Sequence, residues 1–185
     1  MKNIIDYEVV IIGAGVVSLA IARELVLNKF KSVLIIERNG NFGEETSSRN
    51  SQVIHSGIFN DINSKKFYHC IRGKKLLYDF LEEYSLEYEK TEKIIVSKNS
   101  ELEAFNKFVR SIDLKDIPFS VLSKNKLSKM EPYVISDNSL LIHDSGILDV
   151  HKFMHQLYQI SNLHHDYLFN SNLEEIKYFD DYFNV

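Results

Sequence analysis

The chain has 185 residues, 44% hydrophobic and 26% charged, which is ordinary for a globular protein with enough material for a real core. A net charge of -4 argues against nucleic acid or an anionic membrane surface as partner, and no stretch approaches the ~20 apolar residues of a membrane span. The single Cys70 excludes an internal disulfide and fits a reducing compartment. The expected location is therefore the cytoplasm, with a peripheral place at the inner membrane as the alternative.

Strand structure is expected by Tyr7–Glu8, which leaves no room for a secretory signal. Val9–Ile12 is an unbroken apolar run, as in a strand buried on both faces. Gly13 allows a tight turn, and Gly15 lets backbone approach a pyrophosphate closely. The helix predicted from Val16 then aims its N-terminal N–H groups and dipole at that charge. Val16, Leu19, Ala20, Ala22 and Leu25 suit a helix packed on a sheet, ending near Asn28. A second strand, Ser32–Ile36, leads to Glu37, which lies roughly 20 residues past the glycines, where a ribose hydroxyl needs an acceptor. Strand, glycine turn, helix, strand and acid together read as the front of a dinucleotide-binding unit. Ser18 stands at the third glycine of the G-x-G-x-x-G pattern, a small residue at a helix-packing position. Arg38 offers a partner for a 2′-phosphate, a weaker option because Glu37 beside it repels that group.

A polar loop follows over 38–45, and Thr46-Ser47-Ser48-Arg49-Asn50-Ser51 packs hydroxyls, an amide and a cation into a segment that can cap a helix or bind an anion. The apolar stretch Val53–Phe59 holds His55. A long helix is predicted over 64–84, and a strand over Glu92–Ser97. Ser100 with Glu103 reads as a capping box before a helix carrying Phe105, Phe108, Val109 and Ile112. A strand at Phe119–Leu122 and a short helix at Lys124–Met130 follow, the helix stopped before Pro132. Ser139–His143 is a predicted strand, Ser145–Asp149 a turn, and a helix runs to about Ile160. His164-His165-Asp166 reads as a polar loop, because adjacent histidines point apart and no partner cluster has metal-ligand spacing. Two strand-like runs, Leu173–Tyr178 and Tyr182–Val185, flank an Asp180-Asp181 turn, and the ending looks cut.

The segment Glu45-Thr46-Ser47-Ser48-Arg49-Asn50-Ser51-Gln52-Val53-Ile54-His55-Ser56-Gly57-Ile58 resembles the L-2-hydroxyglutarate dehydrogenase/oxidase family of D-amino-acid-oxidase-like flavoproteins. Cys70-Ile71-Arg72-Gly73, Glu92–Val96, Glu131-Pro132 and Ser145–Asp149 extend the resemblance, which covers nearly the whole chain and thins after about Ser161. It implies an α/β fold: a Rossmann-like FAD-binding domain with an inserted α+β substrate domain, apparently truncated. The parts would be 1–64 for FAD, 65–148 for substrate, and 149–185 returning, incomplete, to the FAD domain.

The resemblance also implies FAD as cofactor and a small L-2-hydroxy acid as substrate, L-2-hydroxyglutarate going to 2-oxoglutarate, with an unidentified electron acceptor. Gly13, Gly15 and Glu37 would hold the ADP half of FAD, with Arg38 beside them. Thr46, Ser47 and Ser51 would lie near the pyrophosphate and flavin, and His55 near the isoalloxazine. Family members are about twice as long, so the chain is expected to be inactive alone, with the missing C-terminal half as a possible separate chain. An amine or glycerol 3-phosphate enzyme of the same group, and a non-catalytic nucleotide-binding remnant, are the competing readings.

Oxidising a secondary alcohol requires removing the hydroxyl proton, and a histidine titrating near neutrality suits that task. His55 is the candidate base. The alternatives for it are a hydrogen bond in the core or to the flavin, and covalent flavin attachment. Arg49 could pair with a phosphate or a substrate carboxylate.

Overall fold

The computed structural model describes residues 6–185. The chain forms two compact units: the part up to Ser51 together with Val150–Val185, and Gln52–Asp149.

The first unit is built on a parallel sheet. Strand β1 (Val9–Ile12) and strand β2 (Val33–Ile36) pair in parallel, Val9 opposite Val33 and Ile12 opposite Ile36. Helix α1 (Val16–Leu27) connects them, and Asn28 closes it by donating both its backbone N–H and its Nδ2 to the Glu24 carbonyl. Strand β1 begins at Val9, not at Tyr7 or Glu8. Ile11, Ala14, Ala22, Val33 and Ile35 make the buried core of this layer, with Leu25, Phe42, Tyr167 and Phe169 against it.

The third strand of this sheet begins at Asp166, the last residue of the expected polar loop, while His164 and His165 lie in a turn. Asp166–Leu168 pairs in parallel with β2, Leu34 opposite Asp166 and Ile36 opposite Leu168. His165 is buried, and its Nε2 lies 3.1 Å from the Ala22 carbonyl of α1. The polar run hid this strand because the stretch is too short to show a period of two. The helix before it covers Val150–Asn162 and buries Met154 and Leu157. An exposed hairpin, Lys177–Phe179 with Tyr182–Asn184, turns through Asp180 at positive φ.

The second unit is an antiparallel sheet. Strand β3 (Val53–Ile54), helix α2 (Lys65–Glu83), strand β4 (Tyr88–Ser97), helix α3 (Leu102–Asp113), strand β5 (Phe119–Val121), helix α4 (Lys124–Met130) and strand β6 (Asn138–Leu148) follow in order. Long β6 pairs with β4 along its length, with β3 at Gly146–Ile147, and with β5 at Leu140–Ile142. Residues 52–64, grouped with the nucleotide part from sequence, thus fall in this unit, because β3 joins its sheet.

The turn expected over 145–149 is strand as far as Leu148, since β3 and β4 supply partners on both sides. The Ser100–Glu103 box is replaced by one two residues earlier, Lys98–Glu101. A 3-10 turn over Asn99–Glu101 precedes α3, and Glu101 accepts from the Lys98 N–H at 3.3 Å. Ser64 caps α2 by accepting from the Phe67 N–H at 3.0 Å, and Ser123 caps α4. Ile58, Phe105, Ile112, Ile117, Leu140 and Ile142 form the main core of this unit.

Gly146 shows why a glycine sits in mid-strand. A Cβ there would collide with the Tyr78 hydroxyl of α2 and lie 3.0 Å from the Glu89 carbonyl of β4. Gly146→Ala should destabilise the protein by about 1–3 kcal/mol through overpacking. Tyr78→Phe in the same background should recover part of that loss. Urea unfolding of the two single mutants and the double mutant checks both statements.

Candidate functional site

The glycine loop is held by its own acid. At the C-terminal end of β2, Glu37 is 7% exposed. Its Oε2 accepts from the Ala14 N–H at 2.7 Å, and its Oε1 accepts from the Asn39 N–H at 2.8 Å. A buried carboxylate is retained only where such donors compensate its desolvation. The loop is pinned on its other side by Gly13 N–H donating to the Ile36 carbonyl at 2.7 Å, and by Gly43 N–H donating to the Ala14 carbonyl at 2.9 Å. Gly13 has φ +91°, a conformation that favours glycine.

At the mouth of α1, Gly15 is the N-cap and supplies no side-chain cap, and the first turn carries no acidic residue. The Val16 N–H donates to Ser47 Oγ at 3.0 Å. A Cβ on Gly15 would lie 3.1 Å from that same hydroxyl. Helix N–H groups, a small hydroxyl and a backbone bare of side chains together make an anion cradle. The acid at the next strand end is of the type that can accept from a neighbouring hydroxyl.

Gly13, Gly15, Glu37 and Ser47 are thus brought together around one loop. Thr46 opens the 3-10 turn Thr46–Ser48 and is exposed, as is Ser51. Asn50 donates through Nδ2 to the Ser47 carbonyl at 2.7 Å and holds this turn. Arg38 turns away to pair with exposed Glu45 at 2.8 Å. That cation keeps the Glu45 carboxyl below its usual range.

Sequence reasoning missed Gly43. It has φ +71°, and a Cβ there would sit 2.8 Å from the Met154 sulfur and methyl. The only sequence signal was a glycine in a polar loop. Ala14 was passed over as the middle of the motif, yet its N–H and carbonyl are the atoms that Glu37 and Gly43 grip.

His55 lies in the second unit, just past β3, with an exposed ring. Partial desolvation pushes its pKa below the ordinary 6.5, and the Lys93 cation lowers it further. Its carbonyl accepts from Cys70 Sγ at 3.4 Å. A neutral, accessible imidazole can take a proton at neutral pH. Among the described residues no group of His, Cys, Asp and Glu has the arrangement of a metal site.

Residues 8–178 match the family of FAD dependent oxidoreductases (DAO). The chain is 38% identical over 177 residues to a mitochondrial L-2-hydroxyglutarate dehydrogenase of Arabidopsis thaliana, covering 90% of this chain and 35% of that protein. The human protein of the same name is 28% identical over 147 residues, covering 78% of this chain and 32% of its own length. The chain therefore spans about a third of the length of these curated relatives.

Among solved structures, the FAD-bound L-alpha-glycerophosphate oxidase of Mycoplasma pneumoniae superposes with a TM-score of 0.83 at 28% identity, covering 94% of this chain and 47% of that one. Glycine oxidase of Geobacillus kaustophilus shares the fold, with a TM-score of 0.82 at 18% identity over 92% of this chain and 48% of that one. The expected cytoplasmic or inner-membrane location is corrected by the curated relatives, which are named as mitochondrial in plant, nematode and human. No described helix is long and apolar enough to cross a membrane. With the match running almost end to end and the cradle built by its own loop, the chain belongs to the FAD-dependent oxidoreductase (DAO) family.

Proposed function

We propose that this protein contributes the FAD-binding front and part of the substrate domain of an oxidoreductase for L-2-hydroxy acids. L-2-hydroxyglutarate is the substrate and 2-oxoglutarate the product. The observation that carries this reading is the similarity to L-2-hydroxyglutarate dehydrogenases, which runs across 90% of the chain in the Arabidopsis case.

The residues present fit the ADP half of FAD. The mouth of α1, with no acidic residue in its first turn, and the hydroxyl of Ser47 suit the pyrophosphate, and Glu37 suits the ribose. Thr46 and Ser51 extend that polar rim, while Arg38, paired with Glu45, is the weakest of the proposed contacts. FAD, when bound, supplies the two-electron acceptor for the alcohol carbon. His55 receives the hydroxyl proton, and Arg49 offers a cation for a carboxylate or phosphate. An external electron acceptor completes the cycle.

Turnover requires more chain than these residues. Strand β1 has β2 on one edge and no strand of the described residues on the other, while Ile12, Val17 and Ile21 are exposed. Parallel sheets are covered on both faces, and an exposed edge strand offers pairing to a further segment. A C-terminal portion, fused or separate, supplies that cover, and the 185-residue polypeptide alone binds nucleotide without sustained turnover.

Glu37→Ala should weaken ADP and FAD binding at least about tenfold, roughly 1.4 kcal/mol, because it removes a ribose acceptor and frees the Ala14 N–H. The parent chain should prefer ADP to 2′-phospho-ADP, since Glu37 repels the extra phosphate. Calorimetric titration with both nucleotides checks this, and equal affinities would contradict it. Oxidation of glycerol 3-phosphate is the second reading, favoured by the likeness to the Mycoplasma enzyme. A side-by-side assay of the two substrates separates them.

A further inference from the structure

We propose that Ser120, His143 and Glu92 form a nucleophilic site for acyl transfer to water, an activity the glycine loop does not use. Three neighbouring strands of the second unit bring them together. Glu92 lies on β4 at the register break between Thr91 and Lys93, Ser120 on β5 opposite Leu141, and His143 on β6. His143 Nδ1 lies 2.5 Å from Glu92 Oε1, and its Nε2 lies 3.1 Å from Ser120 Oγ. This is a hydroxyl, a base in hydrogen-bond reach, and a carboxylate that orients the base.

Each part is fixed by the sheet. A break in the ladder re-aims a side chain, which lets Glu92 reach across to β6. The His143 N–H donates to the Pro118 carbonyl at 3.0 Å, locking β6 to the start of β5. Glu92 accepts the Nδ1–H, which leaves the Nε2 lone pair to receive the Ser120 proton. The imidazole is 37% and the carboxylate 46% exposed, so small molecules reach the site.

The edge of β5 also supplies a donor. Pro118 and Leu122 bond to β6, with Ser120 in phase between them. The alternation of an antiparallel ladder then turns the Val121 N–H outward, on the residue after the serine, where a developing oxyanion needs a hydrogen bond.

The chemistry is that of a small activated ester. Ser120 Oγ bonds to the carbonyl carbon, and its proton passes to His143 Nε2. The bond to the alcohol oxygen breaks, and the alcohol leaves with that proton. Water then attacks the acyl-serine by the same route and releases the carboxylic acid and free Ser120.

The test uses the whole 185-residue chain with p-nitrophenyl acetate and, separately, with a fluorophosphonate probe followed by peptide mass spectrometry. The expected result is an adduct on Ser120. Ser120→Ala and His143→Ala should each lower p-nitrophenol release by about 10²-fold or more, with unchanged circular dichroism, and Glu92→Gln should lower it less. An adduct elsewhere and none on Ser120, or parent-like release by Ser120→Ala, overturns the proposal and leaves the trio as a clasp between strands. If a variant fails to fold, the position of the adduct in the parent chain decides.

Discussion

His55→Ala, placed in a protein completed to the length of its curated relatives, is expected to cut turnover on L-2-hydroxyglutarate by roughly 10²–10⁴-fold while leaving flavin content nearly intact. The split between turnover and flavin content is the informative part. A histidine that only held the flavin would lower both together. The pH profile gives a second check.

The folded pKa of His55 is lowered, by desolvation first and by Lys93 second, so the imidazole is neutral at pH 7. Activity should therefore be lost, as the ring takes up a proton, at a lower pH than for an ordinary imidazole. Lys93→Gln removes one of the two causes and should move this acid limb upward. Kcat/KM measured against pH for parent and variant reads the shift, and an unmoved limb would remove Lys93 from this role.

Gly15→Val is expected to lower FAD and ADP affinity by roughly 10²-fold, about 2.8 kcal/mol. The Cβ alone would come within 3.1 Å of Ser47 Oγ, and two further methyl groups would fill the mouth of α1. The same crowding would disturb the hydrogen bond from the Val16 N–H. The backbone at Gly15, with φ -74°, is one that valine can adopt, so the loss should appear in binding more than in folding. Fluorescence titration with FAD beside a urea melt separates the two. A variant that keeps full affinity would show that the phosphate does not approach this turn.

The βαβ unit with its glycine turn was legible because its parts are local. Strand, glycines, helix and acid follow within one βαβ unit, and each has a fixed spacing set by backbone geometry. The role of Glu37 was only half visible. Its place at the strand end could be read, but its grip on the Ala14 N–H depends on a loop folding back.

Non-local pairing was the harder part. Asp166–Leu168 carries no alternation of its own, and becomes a strand only because Val33–Ile36 offers a free edge. The continuation of β6 through Ser145–Leu148 likewise depends on β3 and β4. Gly146 looked like a turn residue, whereas it is small to admit the Tyr78 ring. The Ser120–His143–Glu92 trio spans three strands, so no spacing in the chain announces it.

Anaerobic stopped-flow mixing of the flavin-loaded protein, completed to the length of its curated relatives, with L-2-hydroxyglutarate, its D-enantiomer, glycerol 3-phosphate and glycine identifies the substrate. Rapid bleaching of the oxidised flavin band by L-2-hydroxyglutarate alone is expected, with 2-oxoglutarate formed in equal amount. Bleaching by glycerol 3-phosphate or glycine, with the flavin left oxidised by L-2-hydroxyglutarate, would contradict it.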